Sequence, residues 1–250
     1  MNKLLFLLIC FLLPIISFAQ KNKKINYFFS VSRDLIIDAN IEDWGNNLND
    51  VGENFWSFGI TEQNNELIVA IVIKDLQLQR EAFRGGLFVN ISYTDKKKSG
   101  AILQFPYWDR ERKRAIANDD EMSQKNFEEE MLNNVNGYYL TGFSKIRDGV
   151  LALDNDYKIE AKVKIDSNKC LVYEARIPLE LVGLKSDQIA VNLGVSTQYA
   201  LMKRAAEQAN KRNNMSPYPY YMMGRSMPQN SIKNPYKAET DVWIIDSLRK

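Results

Sequence analysis

The chain has 250 residues, with 33 Lys and Arg against 31 Asp and Glu, 12 Gly, 7 Pro and no histidine. The missing imidazole excludes Ser-His-Asp and Cys-His nucleophile activation, most zinc sites and haem held by an axial histidine. A charge balance near zero argues against nucleic acid as the main partner, and no Walker-type phosphate loop or dinucleotide fingerprint occurs.

Residues 1–19 read as a cleaved signal peptide. Lys3 is the basic n-region, Leu4 to Ile16 the apolar stretch, and Ser17-Phe18-Ala19 the small-x-small site before Gln20. The apolar run is short for a membrane span, which needs roughly twenty residues. A lipoprotein reading would use Cys10, but Ile9 is bulky where a small residue is needed. The expected destination is the periplasm or the exterior. After removal, Cys170 is the only cysteine, so no internal disulfide forms, and no remaining apolar run reaches membrane-spanning length.

Residues 20–34 are read as a tail and first edge strand, and 35–250 as a single domain. Asp38 to Trp44 is a turn rich in Asx residues, with Trp44 plugging the bottom of the fold. Trp56 to Thr61 and Leu67 to Lys74 form a hairpin across Gln63-Asn64-Asn65-Glu66. The second of these strands is apolar on both sides, which predicts a central strand covered on both faces. Leu87 to Tyr93 follows Gly85-Gly86, and Asp95-Lys96-Lys97-Lys98-Ser99-Gly100 turns back into Ala101 to Phe105. The lysines there suit a solvated hairpin tip.

Dense charge from about 109 to 135 predicts a helical insertion, capped near Asn118-Asp119-Asp120-Glu121, with Phe127, Met131, Leu132 and Val135 on one face. Tyr138 to Ile146 resumes as strand. Lys158 to Ile165 alternates, with Ile159, Ala161, Val163 and Ile165 inward and lysines and Glu160 outward, so one face meets solvent. Ser167-Asn168-Lys169 turns it into Leu171 to Ile177, and Pro178 starts a short helix through Leu184. Ile189 to Gln198 is a strand, about 202–238 a long loop containing Pro217-Tyr218-Pro219-Tyr220-Tyr221, and Thr240 to Ile245 the last strand, carrying Trp243. Short strands without a βαβ rhythm predict an all-β fold, an antiparallel two-sheet β-sandwich, jelly-roll-like, with a short helical insertion.

Three stretches carry a family resemblance: Ile37-Asp38-Ala39 to Asp43-Trp44, Asn65 to Ile71 with Asp75 shortly after, and Tyr173-Glu174-Ala175-Arg176-Ile177-Pro178. Through them most of the exported chain, from about Asp38 to Ile245, resembles the family 9 carbohydrate-binding module and its secreted relatives. The resemblance implies a β-sandwich, sugar recognition by facing tryptophans, and bound calcium. Ala39 departs from it, standing where the pattern usually has Gly.

A sugar site needs a flat aromatic face against the pyranose ring and polar partners for its hydroxyls. The candidate ligand-binding residues are Tyr107, Trp108, Asp109 and Arg110 at a strand end, followed by Trp56. Trp108 has a second reading, as cover for the core below the charged stretch, which is the commoner fate of such a residue. Calcium takes several converging oxygens, and Asp154 and Asp156 are the candidate metal ligands, with the Asp38, Glu42 and Asp43 turn also chemically suitable. No catalytic residue is assigned. The expectation is a secreted, non-enzymatic binding domain for a glycan. A structural or assembly protein of the cell envelope that contacts another protein is the alternative, and a glycoside-active enzyme with paired carboxylates is the third reading.

Overall fold

The computed structural model describes residues 35–108, 111, 132, 135, 137–213 and 233–248. The strands are β1 (Asn49–Val51), β2 (Trp56–Gln63), β3 (Glu66–Ile73), β4 (Leu87–Ile91), β5 (Ala101–Phe105), β6 (Gly137–Thr141), β7 (Gly149–Ala152), β8 (Glu160–Ile165), β9 (Leu171–Pro178), β10 (Gln188–Val195) and β11 (Asp241–Ser247). They form a five-stranded sheet, in the order β1-β2-β3-β9-β8, and a six-stranded sheet, in the order β11-β10-β4-β5-β6-β7. Every pairing is antiparallel. The expected all-β two-sheet sandwich is therefore the observed architecture.

Strand alternation builds the core. Leu67, Val69, Ile71 and Ile73 of β3 meet Leu87, Val89 and Ile91 of β4 and Ile189, Val191, Leu193 and Val195 of β10 within one buried cluster. The other side of β3 is apolar too, and its cover comes from the N-terminal part of the described chain. Leu35, Ile37 and Trp44 pack on Ile68 and Ala70, while Ala39 packs on Val72 and Val172 of β9. The expectation that β3 is central and covered on both faces is met, but Trp44 does not plug the sandwich bottom. It lies on the outer face of the five-stranded sheet, with Gly59 directly beneath it, where a Cβ would collide with the indole.

One buried carboxylate fixes this strap. Glu174, on the outer face of β9 and 0% exposed, accepts from the backbone N–H of Asp38 at 3.1 Å and of Ala39 at 2.7 Å, and from Trp44 Nε1 at 2.8 Å. Ala39 has φ of 58°, the left-handed conformation that favours glycine. Its methyl group is buried against the valines, which offsets part of the conformational cost. Burial pushes the Glu174 carboxyl above the usual carboxylate range, against the pull of its three N–H donors.

Several boundaries differ from those read in the sequence, for local reasons. Between β3 and β4 runs a helix, α1 (Leu76–Gly85), whose N-cap Asp75 accepts from Leu78 N at 2.9 Å and which buries Leu78, Gln79, Ala82 and Phe83. The strand predicted to reach Ile146 stops at Thr141, because Gly142 turns with φ of 75° and its N–H donates to Asp148 Oδ1 at 2.7 Å. Pro178 closes β9, and the helix expected to run to Leu184 is a single 3-10 turn, Leu179–Leu181, followed by Gly183 at φ of 77°.

β10 stops at Val195, and α2 (Gln198–Asn213) replaces the first part of the expected 202–238 loop. Thr197 Oγ1 accepts from Ala200 N at 3.1 Å, and the helix-forming residues that follow sustain the turn pattern. The strand of 20–34, the cap at 118–121, Phe127, Met131 and the Pro-Tyr cluster at 217–221 lie outside the described residues. Leu132 and Val135 of the predicted insertion pack on the core.

Candidate binding cleft on the six-stranded sheet

Side chains that point away from the core on the six-stranded sheet form two rows set by register. One row runs Trp243, Asn192, Asn90, Ile102 and Thr141, each opposite the next on neighbouring strands. The second runs Asp241, Gly194, Phe88, Gln104 and Tyr139. With strands spaced about 4.8 Å, five residues in a row span about 19 Å. The first turns of α2 rise beside this surface, and together they enclose a cleft of about 770 Å³ lined also by Lys203, Arg204, Glu239 and Thr240. That volume falls among ordinary small-ligand sites.

The walls are held by local contacts. Gln198 N donates to Glu81 Oε2 at 3.0 Å, which ties the start of α2 to α1. The Arg204 guanidinium lies 5.7 Å from the centre of the Phe88 ring, a cation–π contact at the cleft wall. Asn90 Oδ1 accepts from Gly100 N at 2.9 Å, and Gln104 Nε2 donates to Gly85 O. Tyr236, against Tyr199 and Phe55, has its hydroxyl pushed up to about 12, chiefly by burial, with Glu81 and Asp75 adding to it.

The residues expected to form a site divide clearly. Trp108 is buried, and its Nε1 donates to Phe83 O at 2.7 Å, so it holds α1 and covers the core. Trp56 is buried as well, with Nε1 donating to Glu239 O at 2.8 Å. Neither indole offers a free face to a ligand. Tyr107 stacks on Tyr139 with ring centres 4.8 Å apart and planes at 18°, which places it next to the cleft wall. Asp109 and Arg110 lie outside the described residues.

Of the four tryptophans only Trp243 is half-buried rather than buried, so the facing pair implied by the family resemblance is not formed. The polar and aromatic floor was signalled in the sequence by Phe88-x-Asn90, Ile102-x-Gln104, Tyr139-x-Thr141 and Asn192, which interrupt otherwise apolar strands on one face only.

Asp154 and Asp156 are exposed on the turn after β7. Asn155 between them closes that turn by itself. Its Nδ2 donates to the carbonyls of Ala152, Leu153 and Ile159, and its Oδ1 accepts from Tyr157 N and Ile159 N. Among the described residues no group of three or more acidic or thiol side chains converges. Calcium takes six or more oxygens, and beside these two carboxylates the carbonyls of Ala152, Leu153 and Ile159 already accept from Asn155. Also among the described residues, no helix is long and apolar enough to cross a membrane.

Fold and cleft together define a two-sheet antiparallel sandwich with one outer face covered by its own chain and the other carrying a polar and aromatic cleft. Comparison of the chain with family models, curated proteins and solved structures returned no match.

Proposed function

We propose that this is an exported, non-catalytic binding domain similar to the family 9 carbohydrate-binding modules, and that it holds a glycan in the cleft on the six-stranded sheet. The observation that carries this reading is the composition of that cleft. Trp243 and Tyr139 give apolar ring faces of the kind that cover a pyranose, and Asn90, Gln104 and Asn192 give amide groups for its hydroxyls. Export rests on the signal-peptide pattern of residues 1–19.

Affinity electrophoresis tests it, with the purified protein run through gels containing soluble xylan, β-glucan, galactomannan or pullulan. The wild type is expected to be retarded in at least one gel, and Trp243→Ala to lose the retardation while its folding free energy falls by no more than about 1–2 kcal/mol, as befits a half-buried side chain. Equal retardation of wild type and variant removes the cleft from the reading. A second reading, an envelope assembly protein docking on another protein, is favoured by the exposed Leu201 and Met202 on α2. It predicts capture of a partner from envelope extract that is lost with Leu201→Asp.

A further inference from the structure

Asn192 sits on the middle of β10, between Trp243 and Asn90 in the cross-strand row. It is 4% exposed, it lines the cleft, and its Oδ1 is a buried acceptor with no hydrogen-bond partner among the described residues. An acceptor removed from water without a donor costs about 1–3 kcal/mol. The neighbouring Asn90 does not share this condition, since its Oδ1 is taken by Gly100 N.

Asp241 lies two residues from Trp243 on β11, and Glu239, Thr240 and the cations Lys203 and Arg204 of α2 line the cleft with it. Among the described residues none of these groups, nor the Asn90 amide opposite in register, hydrogen-bonds to Asn192 Oδ1.

We propose that Asn192 is the specificity-determining residue of the cleft, and that its Oδ1 accepts from a hydroxyl of a neutral sugar ring stacked on Trp243. This rests on the glycan reading above and deepens it. A ring hydroxyl is both the missing donor and close to the apolar face that the indole covers. A sulfate or carboxylate oxygen placed on Asn192 Oδ1 would set acceptor against acceptor, so that position selects a hydroxyl over an anionic group. In the free protein the acceptor is a local cost, which the ligand removes.

The test compares wild type, Asn192→Leu and Trp243→Ala by affinity electrophoresis on the neutral polysaccharides named above and on pectin and carrageenan as anionic probes, with thermal unfolding measured on each protein. Asn192→Leu removes the unsatisfied acceptor at similar volume, so it is expected to unfold at the same or a higher temperature while its retardation on the neutral probe falls about tenfold or more. Rising stability with falling retention is a pairing that a structural role for Asn192 would not give. Undiminished retention of Asn192→Leu, or stronger retention of wild type on pectin or carrageenan than on any neutral probe, overturns the assignment while leaving a glycan site. A variant that loses stability along with retention overturns it as well, by making Asn192 a packing residue. Wild type retarded by no probe overturns the glycan reading itself, and the assignment with it.

Discussion

Glu174→Ala is expected to lower folding stability by about 3–5 kcal/mol, because it strands buried donors that each cost about 1–3 kcal/mol when left without an acceptor. The donors are Ala39 N and Trp44 Nε1, both in buried bonds, and Asp38 N, which is part-buried and can turn to water. The loss is read as a lower urea midpoint. Glu174→Gln keeps one acceptor oxygen and should fall between wild type and Glu174→Ala.

The pH dependence of the difference between wild type and Glu174→Gln has a definite sign. Desolvation raises the folded carboxyl above its ordinary value of 4.5, so the folded state binds the proton more tightly than the unfolded chain. The contribution to stability is fully present below pH 4.5 and is lost as pH rises through the raised folded value. Wild type should therefore gain on Glu174→Gln as pH is lowered toward 4.5. The opposite trend would mean that the three N–H donors outweigh burial.

Trp56→Ala should cost about 3–5 kcal/mol, the usual range for deleting a large buried aromatic side chain. The indole is 0% exposed, packs against Phe58 with ring centres 5.8 Å apart, and donates to Glu239 O at 2.8 Å. That hydrogen bond links the five-stranded sheet to the segment entering β11, which carries Glu239, Thr240 and Asp241 of the cleft rim. Trp56→Phe removes the hydrogen bond and part of the ring volume and should cost about 1–3 kcal/mol. Equilibrium unfolding of the two variants separates packing from hydrogen bonding. If Trp56 were instead a ligand contact, Trp56→Ala would lose sugar retention at unchanged stability.

The strands were legible because burial on one or both faces writes itself as alternation or as a continuous apolar run. Glu160 to Ile165 shows the first pattern and Leu67 to Ile73 the second. α1 was hidden because Leu76-Gln77-Leu78-Gln79 imitates strand alternation, although Asp75 and Gly86 mark its two ends. The cleft was harder to see. Its floor is assembled from single outward residues on five strands, such as Asn192, Phe88 and Tyr139, and only the register brings them together. Trp108 drew attention as an aromatic beside charged residues, yet a tryptophan at a strand end can equally turn inward, and only its contact with Phe83 decides which it does. Glu174 stands inside an apolar strand, and its role depends on a segment about 135 positions earlier in the chain.

The strap from Leu35 to Leu48 has a consequence for how copies of this protein meet. Without it, Ile68, Ala70, Val72 and Val172 would form a water-facing apolar ribbon along adjacent strands, the kind of surface through which sheets of separate molecules stack. A fragment beginning after Leu48 should consequently scatter light and sediment as large aggregates at concentrations where the whole chain stays dispersed. The polypeptide thus carries its own stopper against stacking on the five-stranded sheet, and among the described residues the cleft lies on the opposite sheet.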